Sequence, residues 1–409
     1  MAKIRPFKAF RPVRDKVHLV ATRPFYSYKK NVLKAKLEDN PFTFLRIINP
    51  EFNSEFKTKP NSKERFELVK FRYNEFINKG VLIQDSTSKF YVYRQTNGNN
   101  VYTGLIGGAS VSDYDNDVIK KHEATLTSRE QMFTDYLDVV GFNAEPVLLS
   151  YTSTNEIKEL IVKITSERPE YEFTTTDEVK HELWLTNEEE VKLIEGYFTD
   201  IPSIYIADGH HRSASSALLS KRRVSQKLDS NKDFFLAYLI DEEDLTIFEF
   251  NRLVKNLNGL SKEEFLAKVS PYFTILKIEK AQKPSENHSM TVCIEGEWYL
   301  FRFKEEVIDY SNPVKSLDAE LLTNIVLTPI LGIKDLKTDK SIEFISGVEP
   351  IEKMEEAIIK KKFQIGFILF PATMEQVKKV ADHNLIMPPK STWVEPKLRS
   401  GLTIYNIND

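Results

Sequence analysis

The stretch Ile204-Tyr205-Ile206-Ala207-Asp208-Gly209-His210-His211-Arg212-Ser213-Ala214-Ser215-Ser216-Ala217-Leu218 crowds a carboxylate, two imidazoles, a guanidinium and three hydroxyls into one short box. Its first four residues form an apolar run that predicts a strand, and Asp208-Gly209 predicts a turn. Ala214, Ala217 and Leu218 then recur at helical spacing. The reactive groups therefore fall on the first turns of a helix entered directly from a strand. Such a helix start carries unpaired backbone N–H groups and a partial positive charge, which suits an anion. Cations at that end are unfavourable unless something negative stands opposite. His210, His211 and Arg212 thus read as phosphate contacts better than as stabilisers of the fold. Gly209 lets the backbone turn, and Ser213 stands on the same first turn. Asp208 is the carboxylate that could hold Mg²⁺ or activate a hydroxyl. The plainer alternative is a buried histidine pair bonded to backbone, with Asp208 as the helix cap.

Two further segments carry similar groups. His122-Glu123 lies in a polar loop just before a helix, where Glu123 could act as a general base and His122 could orient it or touch phosphate. The preceding acidic run, Asp113 to Asp117, reads as a solvated loop. From Met387 to Gly401, Lys390, Lys397 and Arg399 stand among Pro388, Pro389 and Pro396. Lys390, Ser391, Thr392 and Lys397 read as a stiff cationic clamp for an anion, and the plainer reading is a strap anchored on the core by Trp393. The cations of these segments lack obvious local partners, so the three segments are expected to converge on one cleft.

The elements that must position these groups mix both periodicities. Hairpins are expected from Phe90 to Val111 around Asn97-Gly98-Asn99-Asn100, from Phe234 to Phe250 around Asp241 to Asp244, and from Met290 to Lys304 around Glu295-Gly296-Glu297. Helices are expected at Lys63–Asn78, from a Thr127/Glu130 capping box to Gly141, and at Ser316–Ile330, Ile351–Lys362 and Met374–Asp382. A strand is expected at Gly366–Phe370. Hairpins interspersed with helices predict an α+β or mixed α/β fold rather than a purely parallel sheet. A boundary near Asn256 divides a first domain, 1–256, from a smaller α/β C-terminal region, 257–409, whose tail (387–401) returns to the site.

Several chemistries are excluded by what the chain lacks. Pro389-Lys390-Ser391-Thr392 has the tail of a P-loop without its glycines. Gly104, Gly107 and Gly108 miss the dinucleotide spacing and sit in a strand signal, where close packing explains them. The position that would complete a zinc-protease pair with His122 is Leu126, and no Gly-x-Ser-x-Gly elbow occurs. The 409 residues carry 57 basic and 60 acidic side chains, so no overall charge draws the chain to nucleic acid or to anionic membrane. The single cysteine, Cys293, makes neither an internal disulfide nor a thiolate cage. No apolar run reaches spanning length, and the first residues do not form a signal peptide. A soluble cytoplasmic protein is expected.

At the box the sequence resembles the ParB/sulfiredoxin-like superfamily, and within it a domain-of-unknown-function family with an Asp-Gly-His-His-Arg box. The resemblance extends to Ile4-Arg5-Pro6-Phe7, to Asn40-Pro41 and Asn49-Pro50-Glu51, to His122-Glu123 with Thr125, and to Met387 through Lys397. It implies a nucleotide-binding core elaborated with hairpins and helices. Free-serine kinases of the superfamily have a closely similar box. The resemblance therefore implies phosphoryl transfer from ATP or ADP, with Mg²⁺, to the hydroxyl of a small metabolite such as free L-serine. Asp208, Glu123 and His122 would be the catalytic groups, with Asp208 holding the metal. Gly209, His210, His211, Arg212, Ser213, Lys390, Ser391, Thr392 and Lys397 would hold the nucleotide. A nucleotide-binding regulator without turnover and a metal-dependent phosphohydrolase using His122, Glu123, Asp208, His210 and His211 are the alternatives. No nucleic-acid or membrane partner is expected; a homodimer is, from base rates alone.

Overall fold

The computed structural model describes residues 1–55, 57–225 and 233–408. Contacts divide the chain into two units. Unit 1 comprises 1–121, 125–245 and 396–409, and unit 2 comprises 122–124 and 246–395. Asn256 falls inside unit 2, just past its first strands.

Unit 1 is organised by a nine-stranded mixed sheet. Its strands are β1 (Ile4–Arg5), β2 (Tyr91–Asn97), β3 (Asn100–Ser110), β4 (Ile119–Lys120), β5 (Val147–Tyr151), β6 (Tyr171–Thr174), β7 (Lys180–Leu185), β8 (Ile204–Asp208) and β9 (Phe234–Asp241). The spatial order is β4-β8-β5-β9-β3-β2-β7-β6, with β1 pairing β3. The β4/β8 and β5/β9 pairs are parallel, and the others are antiparallel. The sheet is open, and helices lie between its strands in sequence. Apolar residues of helices Asn155–Thr165 and Glu188–Phe198, among them Ile157, Leu160, Ile194 and Phe198, join the core with Val92, Leu105, Leu149 and Ile206. The final segment also supplies buried side chains: Leu402, Ile404, Tyr405 and Ile407.

Unit 2 has a second, wholly antiparallel sheet. Its strands are β10 (Phe250–Val254), β11 (Phe273–Ile278), β12 (Ser289–Ile294), β13 (Glu297–Phe303), β14 (Ile342–Ser346) and β15 (Ile365–Leu369), in the order β11-β13-β12-β15-β10-β14. One face carries Val292, Phe301, Phe367 and Leu322; the other carries Leu253, Cys293, Met354 and Ile358. Among the described residues no helix is long and apolar enough to cross a membrane.

Local signals translate directly. The Asn97–Asn100 turn closes the β2/β3 hairpin, and Ile294 faces Glu297 across the β12/β13 turn. The helix Lys63–Asn78 and the helix Met374–Asp382 begin and end where their periodicity does. The helix starting at Thr127 stops at Gly141, which takes the left-handed conformation at φ 78°.

Three expectations are corrected. The hairpin around Asp241–Asp244 does not form. β9 is buried almost throughout and takes β3 and β5 as its two neighbours, whereas Thr246–Phe248 pairs with Trp393–Glu395. A strand paired along both edges has no hydrogen-bonding groups left for the next segment. The capping box at Thr127 is also absent: Leu126 holds the cap position with no side-chain bond, and the Thr125 hydroxyl reaches the Glu130 carboxylate instead. The helix expected over Ser316–Ile330 runs as α-helix only from Asp318 to Leu322 and then makes a π turn, Thr323–Leu327. The Thr323 hydroxyl donates back to the Ala319 carbonyl at 2.7 Å, a contact that bends helices.

The glycines of β3 are packing positions. A Cβ at Gly104 would collide with the Leu239 carbonyl oxygen and stand 2.8 Å from the Tyr238 ring. Gly104→Ala is therefore expected to destabilise the protein by roughly 1–3 kcal/mol through overpacking. Urea unfolding checks this, and a midpoint equal to the wild type would refute the packing role.

Candidate functional site

The box folds as its spacing predicts. Ile204 and Ile206 are buried in β8, and the β8/β5 register shifts between Ile206 and Asp208. Gly209 follows at φ 106°, a conformation side chains rarely adopt. A Cβ on Gly209 would also stand 3.1 Å from Arg212 Nε and Nη2. Glycine is thus required for conformation, and a larger residue would also press on the Arg212 guanidinium. The Gly209 carbonyl accepts from the N–H groups of Arg212 (2.8 Å) and Ser213 (3.0 Å), which opens the helix His210–Ser225.

Arg212 folds back over this turn. Its Nη2 donates to Asp208 Oδ2 at 2.8 Å, its Nη1 lies 3.1 Å from Glu145 Oε1, and Nη1 also donates to the Pro146 carbonyl. The guanidinium therefore binds two carboxylates and the loop before β5. The expectation that this cation lacks a partner within the box is corrected: Asp208, one helical turn earlier, is that partner. Arg212 ties strand, turn and helix together whatever else it contacts.

Asp208 has a second cation. Lys397 Nζ lies 3.7 Å from its Oδ1. Burial favours the neutral acid, but Lys397 and Arg212 outweigh it and hold the carboxyl below its ordinary range. A carboxylate so stabilised is a weak proton acceptor and a good fixed charge.

The remaining box residues divide by direction. Ser213 is fully buried and donates to the His210 carbonyl at 3.0 Å; Ser215 and Ser216 donate to the carbonyls of His211 (2.6 Å) and Arg212 (3.0 Å). Their protons are thus spent on the helix itself. His210 is buried. His211 is half-buried, its Nδ1 has no hydrogen-bond partner, and burial together with Arg129 lowers its pKa. The helix Thr127–Val140 braces the box helix: the Thr134 hydroxyl donates to the Ser215 carbonyl at 3.2 Å, and Arg222 and Arg223 pair with Asp135 and Asp138.

The other expected site residues belong to unit 2. His122 is buried, burial pushes its pKa down to about 4, and its carbonyl accepts from the Met387 N–H at 2.8 Å. Its imidazole is therefore neutral near pH 7. Glu123 is exposed. Lys390 has φ 58° and places Nζ 4.9 Å from the centre of the Phe250 ring. Ser391 is buried and donates to the Pro388 carbonyl at 2.7 Å, and Thr392 precedes the strand Trp393–Glu395.

A family model described as "Protein of unknown function (DUF1015)" matches residues 4–320, well over half of the chain. The chain belongs to the DUF1015 family. The family match takes in the box, His122 and Glu123, and ends before Lys390 to Lys397. No curated protein matches. Among solved structures, this DUF1015 chain is similar to free serine kinase in complex with AMP at 15% identity and a TM-score of 0.35, covering 75% of this chain and 91% of that one. It is also similar to SbnI with C-terminal truncation from Staphylococcus aureus at 11% identity and a TM-score of 0.38, covering 73% and 87%. Likenesses this distant assign no residue a role.

Glu145 and Pro146 are site residues that sequence reasoning missed. Pro146 lies 66 positions from Arg212, and no local pattern links them. A glutamate directly before a proline, just ahead of a strand, is the only signal the sequence offers.

The DUF1015 box makes a stability prediction. Arg212→Ala leaves two carboxylates facing each other without their shared cation. The partly exposed site discounts the penalty to about 1–3 kcal/mol at neutral pH. Because folding depresses the Asp208 pKa, its contribution is complete above the ordinary carboxylate value of about 4 and is lost as pH falls below it. The penalty should therefore shrink toward acid. Urea midpoints of both proteins at neutral and acidic pH check this; a constant difference would refute the pairing.

Proposed function

We propose that this chain is a nucleotide-dependent phosphotransferase built on a ParB/sulfiredoxin-like core in unit 1. It would move a phosphoryl group from ATP or ADP to the hydroxyl of a small metabolite, with free L-serine as the first candidate. The observation that carries the reading is the strand–glycine–helix turn, whose first-turn amides lie beside a fixed cluster of Asp208, Arg212 and Lys397. Backbone amides at a helix start bind phosphate oxygens, and phosphoryl transfer depends mainly on positioning and charge stabilisation. The resemblance of the Asp-Gly-His-His-Arg box to that of free-serine kinases supports the same reading.

The groups divide the work by their electrostatics. The acceptor hydroxyl forms a new P–O bond, the bond to the leaving nucleotide breaks, and the hydroxyl proton must pass to a base. Asp208, held ionised by two cations, is poorly suited to take that proton. Glu123 is the better base candidate. Asp208 instead suits a metal-holding role, since its carboxylate is one-third exposed and offers hard oxygen donors. Mg²⁺, when bound, supplies neutralisation of the phosphate oxygens. Lys397 and the amides of His210 and His211 would hold the phosphates, with Lys390 and Thr392 as further proposed contacts.

Incubation with ATP or ADP, magnesium and pooled amino acids, followed by ³¹P NMR, tests the activity. A new phosphomonoester is expected. Hydrolysis without an acceptor product, or binding without turnover, would replace the transferase reading. Asp208→Asn should keep nucleotide affinity within a few-fold while lowering single-turnover rates at least a hundredfold, and Glu123→Gln should do the same if it is the base. Wild-type rates in both variants would remove these roles.

A further inference from the structure

Unit 2 contains a small cavity of mixed apolar and polar lining that the proposed transfer does not use. Glu249, Asn287, Asp318, Gln376 and Ser391 line a space of about 20 Å³ beside the end of β15 and the helices Asp318–Leu322 and Met374–Asp382. No lysine or arginine is among its lining residues, yet two carboxylates are.

Both carboxylates are buried and short of partners. Glu249 is 2% exposed, and its Oε1 makes no hydrogen bond. Lys283 Nζ stands 3.1 Å away as an ion pair, but on a half-exposed side chain and out of hydrogen-bonding direction. Asp318 is 6% exposed, and its two oxygens share a single N–H, that of His288, at 3.1 Å. An ionised carboxylate accepts about four hydrogen bonds. Burial accordingly pushes the Asp318 pKa up to about 7, although the His288 N–H and Arg252 act in the opposite direction. Arg252 acts from outside the cavity, with its own hydrogen bonds going to the carbonyls of Phe250 and Lys390.

The donor chemistry selects the occupant. Two carboxylates, the Asn287 amide and the Ser391 hydroxyl offer oxygen ligands, the set preferred by hard cations, while Gln376 Oε1 already accepts from the Thr373 N–H at 3.0 Å. The Ser391 proton already points to the Pro388 carbonyl, which leaves its oxygen as an acceptor. The space admits about one water-sized particle. Mg²⁺ usually keeps several waters, whereas Ca²⁺ accepts an all-protein oxygen cage. We propose that Glu249 and Asp318, with Asn287 and Ser391, form a calcium-binding site in unit 2.

Calorimetric titration of chelator-treated full-length protein with CaCl₂ tests this. One site per chain is expected, with MgCl₂ binding at least tenfold more weakly. Glu249→Gln and Asp318→Asn should each weaken calcium at least tenfold, while Asp208→Asn retains wild-type calcium affinity. If Asp318→Asn fails to fold, Glu249→Gln decides. Wild-type protein that shows neither binding heat nor a calcium-dependent rise in thermal midpoint would overturn the site, as would undiminished affinity in Glu249→Gln. A loss of calcium binding in Asp208→Asn would also overturn it, by moving the ion to the box. Glu249→Gln should leave nucleotide turnover unchanged, so failure here is distinguishable from failure of the transferase reading.

Discussion

The guanidinium of Arg212, folded back across Gly209, is the interaction on which the box depends. It joins the end of a strand, the start of a helix and the loop before a neighbouring strand through one planar group. A lysine could not reproduce this fork, because its donors radiate from a point. The cost of a cation near a helix N-terminus is met by Asp208 and Glu145 inside the protein. The turn is therefore electrostatically closed and needs no ligand in order to form. What a ligand could add is contact with the first-turn amides and with Lys397, the cation that approaches Asp208 from the end of the chain.

That closure changes how the box histidines should be regarded. Cation character was the sequence argument for all three residues after Gly209. Burial withdraws it from His211, whose pKa falls, and from the separate His122, which is neutral near pH 7. The durable positive charges on Asp208 are Arg212 and Lys397. One is committed to structure, so the other is the more informative residue chemically.

The parts of the fold visible in the sequence are those whose causes are local. Asn97-Gly98-Asn99-Asn100 makes its turn because of its own backbone preferences, and Met374–Asp382 begins at a capping box four residues long. The strand–turn–helix of the box was visible for the same reason. The errors arise where a segment had a choice of partners. Phe234–Asp241 has the composition of a hairpin strand, but it is buried almost throughout and lies between two others. Glu145 was invisible because its role exists only once β5 and β8 are paired. Thr127 has the composition of a helix cap, but Leu126 takes that position and the Thr125 hydroxyl takes up Glu130, an outcome set by side-chain geometry rather than composition.

The route of the chain has a consequence for how the protein is made. Unit 2 is an almost continuous segment, 246–395, whereas unit 1 is finished only by 396–409. Tyr405 and Ile404, wholly buried, follow the whole of unit 2 in the chain. Unit 2 can therefore collapse on itself during synthesis, while the sheet that carries the box waits for its closing segment. Such long-range closure is slow and exposes unpaired apolar surface in the interval. Unit 1 therefore keeps part of its core open until the chain beyond unit 2 has followed.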